Sequence, residues 1–139
     1  MEIRLHQHKH KWGLSSKNIE IIVHKVSEKI DLLAASIDII FTDDDTISTL
    51  HQTYLDDPSP TDIITFDLGS DEIEGEIYIS VDRAQEQARR YHVTLAEELT
   101  RLIVHGLLHL KGYDDKEKKE RKKMKQKEDD LVRLLCREI

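Results

Sequence analysis

The chain has 139 residues, 38% of them hydrophobic, which suits one globular domain over residues 1–139 with a core that needs no staples. Its one cysteine, Cys136, excludes an intrachain disulfide, and no disulfide-linked partner is expected; with no apolar signal core near Met1 and no run close to the roughly 20 apolar residues that span a bilayer, the expected compartment is the cytoplasm and no membrane is involved. A net charge of −7 argues against a general nucleic-acid binder, yet eight basic residues stand against two acidic ones between Lys116 and Lys127, so a polyanionic partner is not excluded.

Glu2 to Leu5 alternates polar and apolar residues and reads as a first strand. Ser15 or Ser16 then offers an N-cap for a helix whose Ile19, Ile22, Val23, Val26 and Ile30 recur at helical spacing. Ser36 to Thr42 is a β-rich strand, ended by the capping run Asp43-Asp44-Asp45. A helix near Thr46 to Leu55 should carry Ile47, Leu50 and Tyr54 inward, and Asp56 to Pro60 is a turn by composition. Thr61 to Phe66 and Gly75 to Ser80 read as strands around an acidic loop, and Ser80 or Asp82 opens a helix to about Tyr91.

The clearest helix start is Thr94-x-x-Glu97, a capping box ahead of Leu95, Leu99, Leu102, Ile103, Leu107 and Leu110, which predicts a central, buried helix. Within it His105 and His109 stand one turn apart and can aim both imidazoles at one ion. Gly112 can then reverse the chain and return Asp114 and Asp115 toward the histidines. A site of two imidazoles and a carboxylate suits one Zn²⁺ per chain, with other divalent ions possible, and leaves a coordination position open for Lewis-acid chemistry. The spacing matches the metzincin pattern H-E-x-x-H-x-x-G-x-x-H except that Gly106 replaces the glutamate and Asp115 the last histidine. Asp115 is the expected third ligand, and Asp114 is its alternative and a candidate for a catalytic role. Lys116 to the end reads as a final helix with Met124, Leu131, Leu134 and Leu135 for packing. His6, His8 and His10 are expected to be solvated, and His24, His51 and His92 to be structural.

Three blocks, in order, resemble the bacterial YbeY family of metal-dependent endoribonucleases. Leu50-His51-Gln52-Thr53-Tyr54 with Pro60-Thr61-Asp62-Ile63-Ile64-Thr65-Phe66 is similar to that family's LNxxY…PTDVLSF block. Gly75 to Ser80, with Ala84 and Ala88 beyond it, is similar to its GDIxIS strand, and His105 to Asp115 to its HGxLHLxGYDH segment. The resemblance implies an α+β fold, a small mixed sheet of about four strands with about five helices, distantly like zinc peptidases. It also implies His105, His109 and Asp115 as metal ligands in a single-strand-specific endoribonuclease acting in late maturation of the 16S 3′ end of ribosomal RNA and in ribosome quality control, with ribosomal RNA and the small ribosomal subunit as partners. Thr61, Asp62, Phe66 and Arg83 would bind substrate, with Arg89, Arg90 and the Lys116 to Lys127 run as further cations.

Two departures bear on mechanism. Leu55 replaces a groove arginine, so another cation such as Arg83 would have to bind phosphate, and His51 replaces an asparagine. The competing readings are a non-catalytic metal-binding ribosome-assembly factor, favoured by Leu55, and a zinc metallopeptidase, disfavoured by the missing carboxylate at Gly106.

Overall fold

The computed structural model describes residues 1–55 and 61–138; the turn expected at Asp56 to Pro60 and the side chain of Leu55 lie outside the described residues. Four strands form one mixed sheet: β1 (Glu2–His6), β2 (Ala34–Thr42), β3 (Ile63–Asp67) and β4 (Ile73–Ser80), in the order β1-β2-β4-β3. The first three in that order are parallel, and β3 closes the edge antiparallel to β4. Five α-helices accompany them: α1 (Ser16–Lys29), α2 (Asp44–Leu55), α3 (Val81–Tyr91), α4 (Leu95–Lys111) and α5 (Lys118–Glu138).

Alternation decides which face of the sheet is buried. Ile37, Ile39 and Phe41 of β2 and Ile77 and Ile79 of β4 are almost fully buried and join Ile19, Ile22, Val23 and Val26 of α1 and Leu99, Ile103, Val104, Leu107 and Leu108 of α4 in one core. Packing of α4 against α1, α3, α5, β3 and β4 makes it the central helix that its apolar run predicts. Its entry is capped by Thr94, whose hydroxyl accepts from the Glu97 amide at 3.1 Å. Its exit is Gly112, at φ +116°, where the amides of Gly112 and Tyr113 bond back to the Leu108 carbonyl. Only a residue without a Cβ takes that conformation freely, so the reversal expected at Gly112 is present.

Two boundaries and one side-chain orientation differ from the sequence reading. Strand β4 starts at Ile73, inside the stretch expected to be an acidic loop, because Leu68 donates its amide to Glu74 and Asp67 accepts the amides of Gly69 and Glu74, which closes the connection early. Helix α2 starts at Asp44, with Asp43 accepting the Thr46 amide at 2.8 Å. On that helix Ile47 is fully buried but Tyr54 is 66% exposed, so Tyr54 does not point inward as expected. It instead stands edge-on to Phe66, with ring centroids 5.5 Å apart, on the sheet face turned away from α4.

Candidate metal centre and its cleft

His105 and His109 project from the same side of α4, and the chain reversal at Gly112 brings Asp115 to them. The two Nε2 atoms are 3.1 Å apart, and Asp115 Oδ2 lies 3.6 Å from each. Among the described residues this is the one group of three or more His, Cys, Asp or Glu side chains close enough to share an ion. The separations themselves test the fit: three ligand atoms at about 2.0–2.2 Å from a tetrahedral ion would be spaced by about 3.3–3.6 Å. The triangle therefore has the dimensions of a small divalent cation. Asp114, the alternative ligand, turns its carboxylate to the Lys116 amide at 3.0 Å.

Each imidazole is oriented by its other nitrogen. His105 Nδ1 sits 2.7 Å from Glu128 Oε1, and His109 Nδ1 sits 3.1 Å from the Tyr113 carbonyl oxygen. With the proton on Nδ1 donated to those acceptors, the Nε2 lone pairs of both rings face the centre of the triangle, which is the tautomer a metal requires. Glu128 is almost fully buried on α5 and also accepts from Arg101 Nη1 at 2.6 Å; Arg101 in turn bonds Asp129 at 2.7 Å. Burial alone would raise the Glu128 pKa, but the bonds from His105 and Arg101 override it and keep the carboxyl ionised below its usual range. For His105, burial disfavours the charged ring while Glu128 favours it, and Glu128 wins. For His109, burial and the neighbouring His105 both disfavour the charge, so its pKa falls.

His105 and Asp115 line one side of a cleft of about 520 Å³ that runs along α4 between the end of α3 and the start of α5. Asp62 enters it from the residue before β3 and accepts from Gln87 Nε2 at 3.1 Å. Glu98, two turns before His105 on α4, is 3% exposed in the cleft wall. Burial pushes its pKa up to about 7, against the pull of Arg101 and with the help of Asp62 and Glu128. Arg121 and Lys125 of α5 supply cations on the opposite wall.

The other expected site residues fall elsewhere. Thr61 donates its hydroxyl to the Ile63 carbonyl and Phe66 stacks with Tyr54 and Tyr78 across the sheet from α4, so neither lines the cleft. Arg83 also lies off the cleft lining, its Nε 3.4 Å from Asp44 Oδ1. Arg89 and Arg90 are exposed on α3, with Arg90 paired to Glu86. His6 bonds Asp38 and His8 the Leu14 carbonyl, and the two do not converge on an ion. Sequence reasoning missed Glu128, Arg101 and Glu98. The signal was there for two of them: Glu128 falls between the buried Met124 and Leu131 on α5, and Glu98 on the same stripe as Leu102 and His105.

A family model described as Endoribonuclease YbeY matches residues 2–135. Relatives that carry that name include the following two. One from Cytophaga hutchinsonii is 43% identical, covering 77% of this chain and 75% of that protein, and one from Protochlamydia amoebophila is 39% identical, covering 88% and 83%. A solution structure of a Thermotoga maritima protein superposes with a TM-score of 0.67 at 31% identity, covering 98% of this chain and 90% of that one.

Proposed function

Starting from the finding that this chain belongs to the YbeY endoribonuclease family, we propose that it is a metal-dependent endoribonuclease that cleaves single-stranded RNA at the centre formed by His105, His109 and Asp115. The observation that carries the reading is the triangle of Nε2, Nε2 and Oδ2 atoms with edges of 3.1, 3.6 and 3.6 Å, joined to imidazoles already held in the ligating tautomer. Two neutral imidazoles with one carboxylate favour Zn²⁺, one per chain, and admit other divalent ions. When bound, the ion supplies Lewis-acid polarisation of a phosphoryl oxygen or of water.

The chain's own residues supply the rest. Glu128 and the Tyr113 carbonyl orient the two rings, and Arg101 keeps Glu128 ionised, so the ligands are fixed before substrate arrives. Asp62, held by Gln87, faces the cleft beside His105 and is the carboxylate placed to accept a proton or a 2′-hydroxyl from a bound strand. Glu98 is two helical turns away from His105, about 10 Å along the axis, and so acts on the field of the cleft rather than on the reacting atoms. A metzincin-type peptidase mechanism lacks the glutamate that its motif places beside the first histidine. Position 106 faces the sheet, where a Cβ would meet Ile77 Cγ2 at 2.9 Å and Ile63 Cδ1 at 3.2 Å.

The substrate within the cell is proposed as the 3′ end of 16S ribosomal RNA on the small ribosomal subunit, in the cytoplasm, during late maturation and quality control; the sequence blocks shared with the family support this assignment. The test is cleavage of a precursor carrying the 16S 3′ end by the purified chain and by His109→Ala, with a peptide library in parallel. Metal-dependent RNA cleavage lost in His109→Ala, with no peptide hydrolysis, supports the reading. Equal RNA cleavage by both, or none by either, contradicts it.

A further inference from the structure

The cleft that must accept a polyanion is lined by four carboxylates, Asp62, Glu98, Asp115 and Glu128, and three cations, Arg101, Arg121 and Lys125. Two of those cations are already neutralised. Arg101 bonds Glu128 at 2.6 Å and Asp129 at 2.7 Å, and Lys125 lies 3.1 Å from Asp129 and 3.6 Å from Glu128. Arg121 differs: among the described residues it has no carboxylate within ion-pair distance, and it instead donates Nε to the Asp115 carbonyl at 3.1 Å and Nη2 to the Lys116 carbonyl at 3.5 Å. Those two bonds use one edge of the guanidinium and pin it beside the third metal ligand. The Nη1–Nη2 edge stays open for a bidentate anion. Tyr91, which lines the same cleft, is 61% exposed, a large aromatic surface turned to water, and Val93 beside it in the lining is 37% exposed. An exposed ring in a cleft is a stacking platform that an unpaired base can use and a base inside a duplex cannot.

We infer that this cleft seats a single-stranded nucleotide segment with a phosphate on the free edge of Arg121 and a neighbouring base on Tyr91. The inference rests on the nuclease reading and sharpens it. It assigns the phosphate contact missing at Leu55 to α5 rather than to Arg83, whose Nε faces Asp44. It also makes Tyr91 the residue that selects single strands.

Binding of a short 2′-O-methylated single-stranded RNA to the metal-loaded protein, followed by fluorescence anisotropy across salt concentrations, tests both contacts. Removing one phosphate contact on a single strand flattens the slope of log K against log salt by about 0.7. Arg121→Gln should show that change with full metal content, Arg121→Lys should keep the slope but lose catalytic rate with the bidentate edge, and Lys17→Gln on α1 should match wild type. Tyr91→Ala should bind roughly 5- to 150-fold more weakly at an unchanged slope, and Tyr91→Phe should restore binding. An unchanged slope in Arg121→Gln, or unchanged affinity in Tyr91→Ala, overturns the inference while leaving the nuclease reading intact. Failure of the wild-type chain to bind single-stranded RNA at all would overturn both.

Discussion

His105 Nδ1 lies 2.7 Å from Glu128 Oε1, so a carboxylate 23 residues further along the chain fixes the orientation of a ring that faces the metal position. The contact joins α4 to α5 and places the helix carrying the basic run against the candidate metal centre. Substituting Glu128→Gln keeps the shape and an acceptor oxygen but removes the charge that makes the imidazole a stronger donor to a cation. Metal affinity should weaken by about 10- to 100-fold, read by competition with a chromophoric chelator. Wild-type affinity in Glu128→Gln would show that this carboxylate is only a packing element.

Gly106 defines how close α4 approaches the sheet. A Cβ there would stand 2.9 Å from Ile77 Cγ2 and 3.0 Å from Ile77 Cδ1, contacts that the fully buried Ile77 side chain can relieve only by repacking in the core. Gly106→Ala should therefore lose about 1–3 kcal/mol to overpacking, offset in part by roughly 1 kcal/mol of helix propensity, and melt at lower temperature than wild type. Gly106→Glu, the change that completes the metzincin sequence, should fail to fold rather than create a peptidase. A Gly106→Ala melting temperature equal to or above wild type would disprove the packing argument.

Glu98 gives the fold a pH dependence of defined sign. Its pKa in the folded state is about 7, raised by burial from a usual value near 4.5, so between those two values the folded chain binds more protons than the unfolded one. Its stabilising contribution is present in full below about pH 4.5 and is lost as pH rises through 7, an effect of order 3 kcal/mol at most. Relative to Glu98→Gln, the wild-type chain should lose stability from pH 5 to pH 8 in denaturant titrations. The same variant should bind RNA more tightly than wild type at pH 8, where the ionised carboxylate adds to the acidic wall formed with Asp62 and Glu128. Parallel stability curves for the two proteins would contradict the assignment.

The parts of the site that were legible in the sequence are those encoded within a few residues of one another. His105, His109 and Asp115 are set by helical period and one reversal at Gly112, and the structure brings those three side chains together as that arithmetic requires. What was not legible depends on how separate elements rotate against each other. Phe66 was grouped with Asp62 because they share a block, but Asp62 precedes β3 and is not bound by its alternation: its carboxylate turns to Gln87 in the cleft, while Phe66, inside the strand, stands with Tyr54 and Tyr78 on the other face. Which cation reaches the cleft could not be chosen from composition, since Arg83, Arg89, Arg90 and the whole Lys116 to Lys127 run were candidates. The burial of Met124, Glu128, Leu131 and Leu135 fixes which side of α5 meets the core, and Arg121 and Lys125 are the cations of the run that line the cleft.

The central claim is that Asp115, and not Asp114, completes the metal site with His105 and His109. Elemental analysis of the purified wild-type chain, Asp115→Ala, Asp114→Ala and His109→Ala, each followed by the RNA cleavage assay, tests it most directly. About one divalent ion per chain in wild type and Asp114→Ala, with both metal and cleavage lost in Asp115→Ala and His109→Ala, is the predicted result. Full metal content in Asp115→Ala, or its loss in Asp114→Ala alone, would contradict it.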